Sequence, residues 1–169
     1  MELSRLVSVV NRRLCEAALW ASAGGLVLMT AVIGWQVWGR YVLNDTPSWS
    51  ERLSLFLMIW YILLAAAVGV RERLHIGLVF FRNALPPGIA RLVDMLVHLL
   101  VAAFGLAMIW YGGEMAASTW SHVIPTLGLR VGLSYLPFPV AGALILLFSL
   151  EHLVADLCAR HRGAERVAP

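Results

Sequence analysis

The chain has 169 residues, of which 60% are hydrophobic and only 14% charged, and its mean hydropathy is +0.79. A soluble domain needs roughly a quarter of its residues charged to cover its surface, so this composition is that of an integral membrane protein. The formal charge of +3 rests on 13 basic residues, all arginine; without lysine there is no Walker A lysine, Schiff base or lysine general base, and an ATPase within this chain is excluded.

Those arginines stand between apolar runs rather than on one face with interleaved aromatics, so lipid headgroups are the expected partner and nucleic acid is not. From Glu2 to Leu14, residues Leu3, Leu6, Val7, Val10 and Leu14 repeat at helical spacing. Residues 1–15 are therefore expected to form an amphipathic arm in the headgroup layer. A first span covers about 17–38, long enough for a hydrocarbon core of roughly 30 Å at 1.5 Å per residue. Ala21-Ser22-Ala23 resembles a signal-peptide cleavage site, but the apolar stretch before it is short and carries Glu16, so no cleavage is expected. Ala17, Ala21 and Gly25 form a ladder of small residues that admits another helix.

Arg40 closes that span, Asn44 to Pro47 make a turn, and Ser48-Trp49-Ser50-Glu51 has the form of a capping box opening a second span over 49–70. Arg40 and Glu51, at the facing ends of antiparallel spans, are expected to pair as ions. The second span is free of charge from Leu53 to Val70 and is thinned by Ala65, Ala66, Ala67 and Gly69. It ends in Arg71-Glu72-Arg73, with His75 close behind. After the breaker Pro86-Pro87-Gly88, a third span covers about 89–117, with Asp94 and His98 one turn apart and Glu114 near its end. Residues 120–133 read as a non-helical connection. A fourth span covers about 133–157, in which Pro137 and Pro139 either start the helix or kink it. Residues 158–169 read as a polar, loose tail.

The fold class is thus all-α: a four-helix transmembrane domain over 16–157, with both termini on one side. Arg5, Arg12, Arg13, Arg71, Arg73, Arg82, Arg91, Arg160, Arg162 and Arg166 fall on that side, against Arg40, Arg52 and Arg130 on the other. The positive-inside rule makes it the cytoplasm. Cys15 and Cys158 then both face a reducing compartment and read as packing residues rather than a disulfide. Trp35, Trp38, Trp49 and Trp120 form an aromatic belt at the outer interface, whereas Trp60 and Trp110 lie inside their helices and are expected to pack against protein.

Chemistry is sparse. Glu151, His152 and Asp156 read as anchors at the inner end of the fourth helix. The deeper pair Asp94 and His98 reads first as a satisfied helix contact, with a proton relay or metal ligation as the rarer use. His98 and His152 fall at similar depth on neighbouring helices, as bis-histidine haem requires. A haem-binding or quinone-interacting membrane anchor of a respiratory enzyme is therefore the alternative reading.

The run from Arg40 to Ile76 resembles the small membrane subunit of tripartite ATP-independent periplasmic (TRAP) transporters, the DctQ-like family. Arg40, Tyr41, Pro47, Trp49, Glu51, Trp60, Ala66, Gly69, Arg71, His75 and Ile76 occupy positions of that pattern, as do Ile109-Trp110-Tyr111, Thr126 to Leu129, Tyr135 and Pro139. Arg52 and Ala65 depart from it, standing where an acidic residue and a glycine are common. The resemblance implies a non-enzymatic subunit of the bacterial inner membrane with no cofactor. Its implied partners are a large multi-span membrane subunit that holds the substrate and ion sites, and a periplasmic substrate-binding protein that delivers an organic acid or related anion. No catalytic, substrate-binding or metal residue is expected in this chain. Structural or subunit-interface roles are expected for Arg40, Trp49, Glu51, Trp60, Gly69, His75, Asp94 and His98.

Overall fold

Each long apolar run becomes one helix in the computed structural model, which describes residues 2–45, 47–72 and 86–165, with side chains at 8–45, 47–72, 86, 88–90 and 92–154. Helix α1 covers Glu2–Trp38, α2 Ser48–Arg71, α3 Pro87–Ser118, the single turn α4 Gly132–Tyr135 and α5 Pro137–Glu165. Four segments are long and apolar enough to cross a membrane. The loop residues Arg73, His75, Ile76 and Arg82 lie outside the described residues.

The expected arm and the first span form one uninterrupted helix. In α1, Asn11, Cys15, Ala18, Ser22, Gly25, Met29, Val32 and Gln36 are buried or half-buried, and Gly39 just beyond continues the series. The spacing alternates between four and three residues. Such a 3.5-residue period is the narrow seam of a coiled coil, and it starts inside the arm. Within the span, Ser22 Oγ donates to the Ala18 carbonyl and Thr30 Oγ1 to that of Leu26, both at 2.8 Å, so neither hydroxyl meets lipid unpaired.

The helix then widens into a π-helical turn, Gly39–Leu43, and Asn44 leaves it with φ of 53°. The Gly39 carbonyl accepts the backbone N–H of both Asn44 and Asp45. A Cβ at Gly39 would meet the Asp45 carbonyl oxygen at 3.0 Å, so this tight exit requires glycine.

The capping box is not formed. Pro47, with φ −61° and ψ 121°, takes the N-cap position, and Ser48 is already the first helical residue. Proline holds that flanking conformation but has no side-chain acceptor, and Ser48, one residue past the N-cap, is not placed to cap the first turn. Instead Ser50 Oγ donates to the Pro47 carbonyl at 2.7 Å and Ser54 Oγ to that of Ser50 at 2.8 Å. Pro86 and Pro87 start α3 similarly, with Pro87 at a position whose N–H needs no partner.

The 119–131 connection is non-helical through its middle, where Val123 and Arg130 form an isolated antiparallel bridge and Gly128 turns the chain at φ 66°. Arg130 stacks over Trp120 at 5.4 Å. The two prolines open the last helix: Pro137 is the first residue of α5, and the backbone of Leu136 stays right-handed between α4 and α5. The tail from Arg160 is helical as far as Glu165 rather than loose, with Arg160, Arg162, Ala164 and Glu165 all good helix formers.

Among the described residues these helices do not close a bundle. Helix α1 packs along α2, α2 packs along α5, and α5 packs along α3. Beyond that row, α1 touches α5 only slightly, and α3 meets neither α1 nor α2. The protein is therefore an open layer in the order α1, α2, α5, α3. Its core runs through the layer as Cys15, Ala18, Leu64, Ala67, Val68, Met108, Ala141, Ile145 and Phe148.

Small residues set the contacts in this row. A Cβ at Gly142 would lie 2.7 Å from the Gly105 carbonyl oxygen, and one at Gly105 would lie 2.9 Å from that of Gly142. Helices α5 and α3 thus cross at backbone contact. The Gly25 face, expected to admit another helix, is filled by Tyr61 of α2, and Ala67 is fully buried within the layer. Ala65, Ala66 and Ala103 remain exposed. Trp110 is 74% exposed and faces out of the layer, so the packing against protein expected of it is not found within this chain.

Candidate functional site

The aromatic belt gives a common starting line for measuring depth. A span needs about 20 residues. Counted from Trp38, Trp49, Ser118 and Leu133, that distance reaches Ala18, Gly69, His98 and Leu153. Around this level, at the end of the molecule that carries both termini, polar side chains from all four long helices converge.

Glu151 and His152, adjacent on α5, are the hub. The Glu151 carboxylate accepts a hydrogen bond from Asn11 Nδ2 of α1 at 2.9 Å and faces Arg71 Nε of α2 at 3.8 Å. Asn11 is only 3% exposed, which is tolerable for an amide because it has this partner. The Arg71 guanidinium also lies over the fully buried Phe148 ring, 5.6 Å from its centroid. A cation over an aromatic face gains from the ring quadrupole, more so when partly desolvated.

His152 extends the contact to the other side. Its Nε2 lies 3.1 Å from the Arg71 carbonyl, and its ring meets that of His98 edge-on with centroids 5.4 Å apart. His98 Nδ1 lies 2.6 Å from the Asp94 carbonyl one turn earlier. A carbonyl only accepts, so the proton sits on Nε2 of His152 and on Nδ1 of His98. Both imidazoles thus serve as backbone-anchored spacers. The similar depth inferred for the two histidines is found. The haem arrangement is not, because rings in edge contact leave no gap for a macrocycle between them. Among the described residues, no group of three His, Cys, Asp or Glu side chains converges to hold a metal.

The other candidates are scattered. Trp60 Nε1 donates to the Leu133 carbonyl at 3.3 Å, tying α2 to the start of α4. Trp49 is partly exposed at the opposite end, and Gly69 is half-buried in α2. Asp94 is half-buried beside His98. Arg40 and Glu51 are both exposed and do not form an ion pair. The π-helical turn carries Arg40, while the start at Ser48 puts Glu51 on the exposed fourth position of α2. Arg40→Ala and Glu51→Ala should accordingly lower thermal stability additively. A double-mutant coupling above about 0.5 kcal/mol would contradict this separation.

Sequence reasoning treated Glu151 and His152 as separate anchors and did not assign Asn11 a partner. Its signal was available: an asparagine at a seam position of α1, where small or apolar residues otherwise recur, is a polar group that needs an acceptor on a facing helix.

Comparison with known proteins places this geometry in context. The family model described as "Tripartite ATP-independent periplasmic transporters, DctQ component" matches residues 29–159. The chain is 26% identical over 155 residues to the sialic acid TRAP transporter small permease protein SiaQ of Vibrio cholerae, covering 90% of this chain and 86% of that protein. It is also 26% identical over 141 residues to a TRAP transporter small permease protein of Haemophilus influenzae, covering 82% and 86%. A shorter match, 27% over 70 residues, is to the C4-dicarboxylate TRAP transporter small permease protein DctQ of Vibrio cholerae, covering 41% and 30%.

Proposed function

Because this chain belongs to the family of DctQ components of tripartite ATP-independent periplasmic transporters, we propose that it is the fixed scaffold on which a large membrane subunit carries out ion-coupled uptake. A transporter component, it is not an enzyme. The large multi-span subunit holds the substrate and ion sites, and a periplasmic binding protein delivers the solute to it. Relatives named for sialic acid and for C4-dicarboxylates point to an organic acid or related anion as the solute class. The chain sits in the bacterial inner membrane with both termini in the cytoplasm, the arrangement that the arginine asymmetry favours.

The open layer of helices carries this reading. A single row buries little of itself and leaves two broad helical faces, which suits a protein that braces another in the bilayer. The polar groups that do converge are spent on tying its own helices. Arg40, Trp49 and Glu51 are then exposed positions of the scaffold, while Trp60 and His98 hold its helices together, His98 being anchored by the Asp94 carbonyl.

Uptake into vesicles containing the large subunit and supplied with the binding protein tests it. Omitting this chain should abolish transport, and His98→Ala, which removes a contact between helices, should lower the maximal rate while leaving the apparent KM unchanged. A change confined to KM, with normal assembly, would put part of the substrate site in this chain and overturn the scaffold reading.

A further inference from the structure

We propose that the adjacent pair Glu151 and His152 acts as a positioning clasp that sets the direction of both outer helices of the layer, α1 and α3, and so fixes its curvature. An outer helix of a row has one neighbour along its length. Its angle is determined only if it is held at two separated points.

In mid-span and toward the hairpin side, both outer helices are held by close contacts at glycines. Helix α3 is held where Gly105 crosses Gly142, where a Cβ on Gly112 would lie 2.6 Å from Phe138 Cβ, and where one on Gly132 would lie 2.6 Å from the Ala116 carbonyl oxygen. Helix α1 is held there by its turn into α2 and by the Gly25 contact with Tyr61. All of these points lie in the span or on the hairpin side. Toward the termini, α1 meets the layer through Cys15, Ala18 and Ser22, and α3 through Val101 and Ala102, with Ala90 beyond His98 also buried. Helix association in lipid rests on van der Waals packing of this kind and on interhelical hydrogen bonds, and only the second ties one atom to one atom.

The clasp supplies the second point for each. Glu151 reaches α1 through Asn11, and His152 reaches α3 through His98. Both are steadied by one residue of α2, since Arg71 faces Glu151 with its side chain and His152 with its carbonyl. Asn11 lies fourteen residue steps before Gly25, a lever of about 21 Å. Between Gly105 and His98 there are seven, about 10 Å. The tie at Asn11 therefore acts on α1 with about twice the lever arm with which His98 acts on α3.

The test is a pair of interhelix distances by spin labelling of the full chain in lipid nanodiscs, with Cys15→Ala and Cys158→Ala as background. Labels at the exposed positions Val9 and Leu96 report the splay at the clasp, and labels at Val37 and Tyr111 report the hairpin side. Glu151→Ala and Asn11→Leu should move the first distribution to longer, broader distances and leave the second unchanged. Glu151→Gln, which keeps an acceptor for the Asn11 amide, should recover much of the original distribution. Should Glu151→Ala fail to fold, Asn11→Leu decides alone, since it removes only the tie to α1. An unchanged Val9 to Leu96 distribution in Asn11→Leu overturns the clasp.

The distances do not depend on the scaffold reading, but a further arm does. In the transporting complex, the same variants should lower the maximal rate at unchanged KM, with recovery in Glu151→Gln. Altered distances with normal transport would leave the clasp standing and show that its curvature is not needed by the partner.

Discussion

Gly142→Leu is expected to abolish the folded layer, and Gly142→Ala to weaken it measurably. The reason lies at the backbone. A Cβ at position 142 would sit 2.7 Å from the Gly105 carbonyl oxygen and 2.8 Å from Met108 Cβ, closer than nonbonded atoms approach. Even alanine must push α3 and α5 apart, at a cost of roughly 1–3 kcal/mol for overpacking. Leucine adds three heavy atoms with nowhere to go. Among the described helices α3 packs only on α5 and the short α4, so nothing else can hold it when that crossing opens. Thermal denaturation of the purified protein, read by fluorescence-detected size exclusion, should show a lowered midpoint for Gly142→Ala and aggregated material for Gly142→Leu. Gly24→Leu is the control: a Cβ there meets nothing within 4 Å, and its midpoint should stay at that of the parent protein. A wild-type midpoint for Gly142→Leu would mean that the helices do not cross where the glycines indicate.

What could be read in the sequence was whatever is encoded along one helix. The four spans, the proline start of α3 and the non-helical 119–131 connection all follow from hydropathy and breaker residues, which act locally. What escaped depends on which helix stands beside which. Gly25 is a small residue on a helix face in any reading, but only the packing tells whether Tyr61 of the same chain or a second subunit fills it. Trp110 lies mid-span and so reads as packed against protein, yet in an open layer a mid-span residue can face out of its own chain. The capping box failed for a local reason: Pro47 already holds the N-cap conformation, and the S-x-x-E pattern one residue later is left without a task. The clasp was half visible. His98 and His152 matched in depth by counting, whereas the partners of Glu151 needed the row order that puts α5 between α2 and α3 and lets it reach α1.

Reversing the charge of Arg71 should be the most damaging change at the clasp. Arg71→Glu replaces an attraction with two carboxylates facing each other at side-chain exposures near 20%, and it removes the cation from over Phe148. Breaking a fully buried pair costs roughly 3–5 kcal/mol. The partial exposure here and the 3.8 Å separation place the loss of attraction below that range, while the added repulsion raises it again. The net expectation is about 2–4 kcal/mol of lost stability. The paired reversal, Arg71→Glu with Glu151→Arg, should restore part of this but not all. Arginine at 151 has no acceptor to offer the Asn11 amide, and a carboxylate at 71 gains nothing over the Phe148 ring. The backbone carbonyl of Arg71 keeps its bond to His152 in every variant, so α2 and α5 stay joined and the cycle isolates the side-chain charges. Thermal midpoints of the four proteins in one detergent give the coupling. A favourable coupling of at least about 1 kcal/mol is expected, and simple additivity would show that Arg71 and Glu151 act independently.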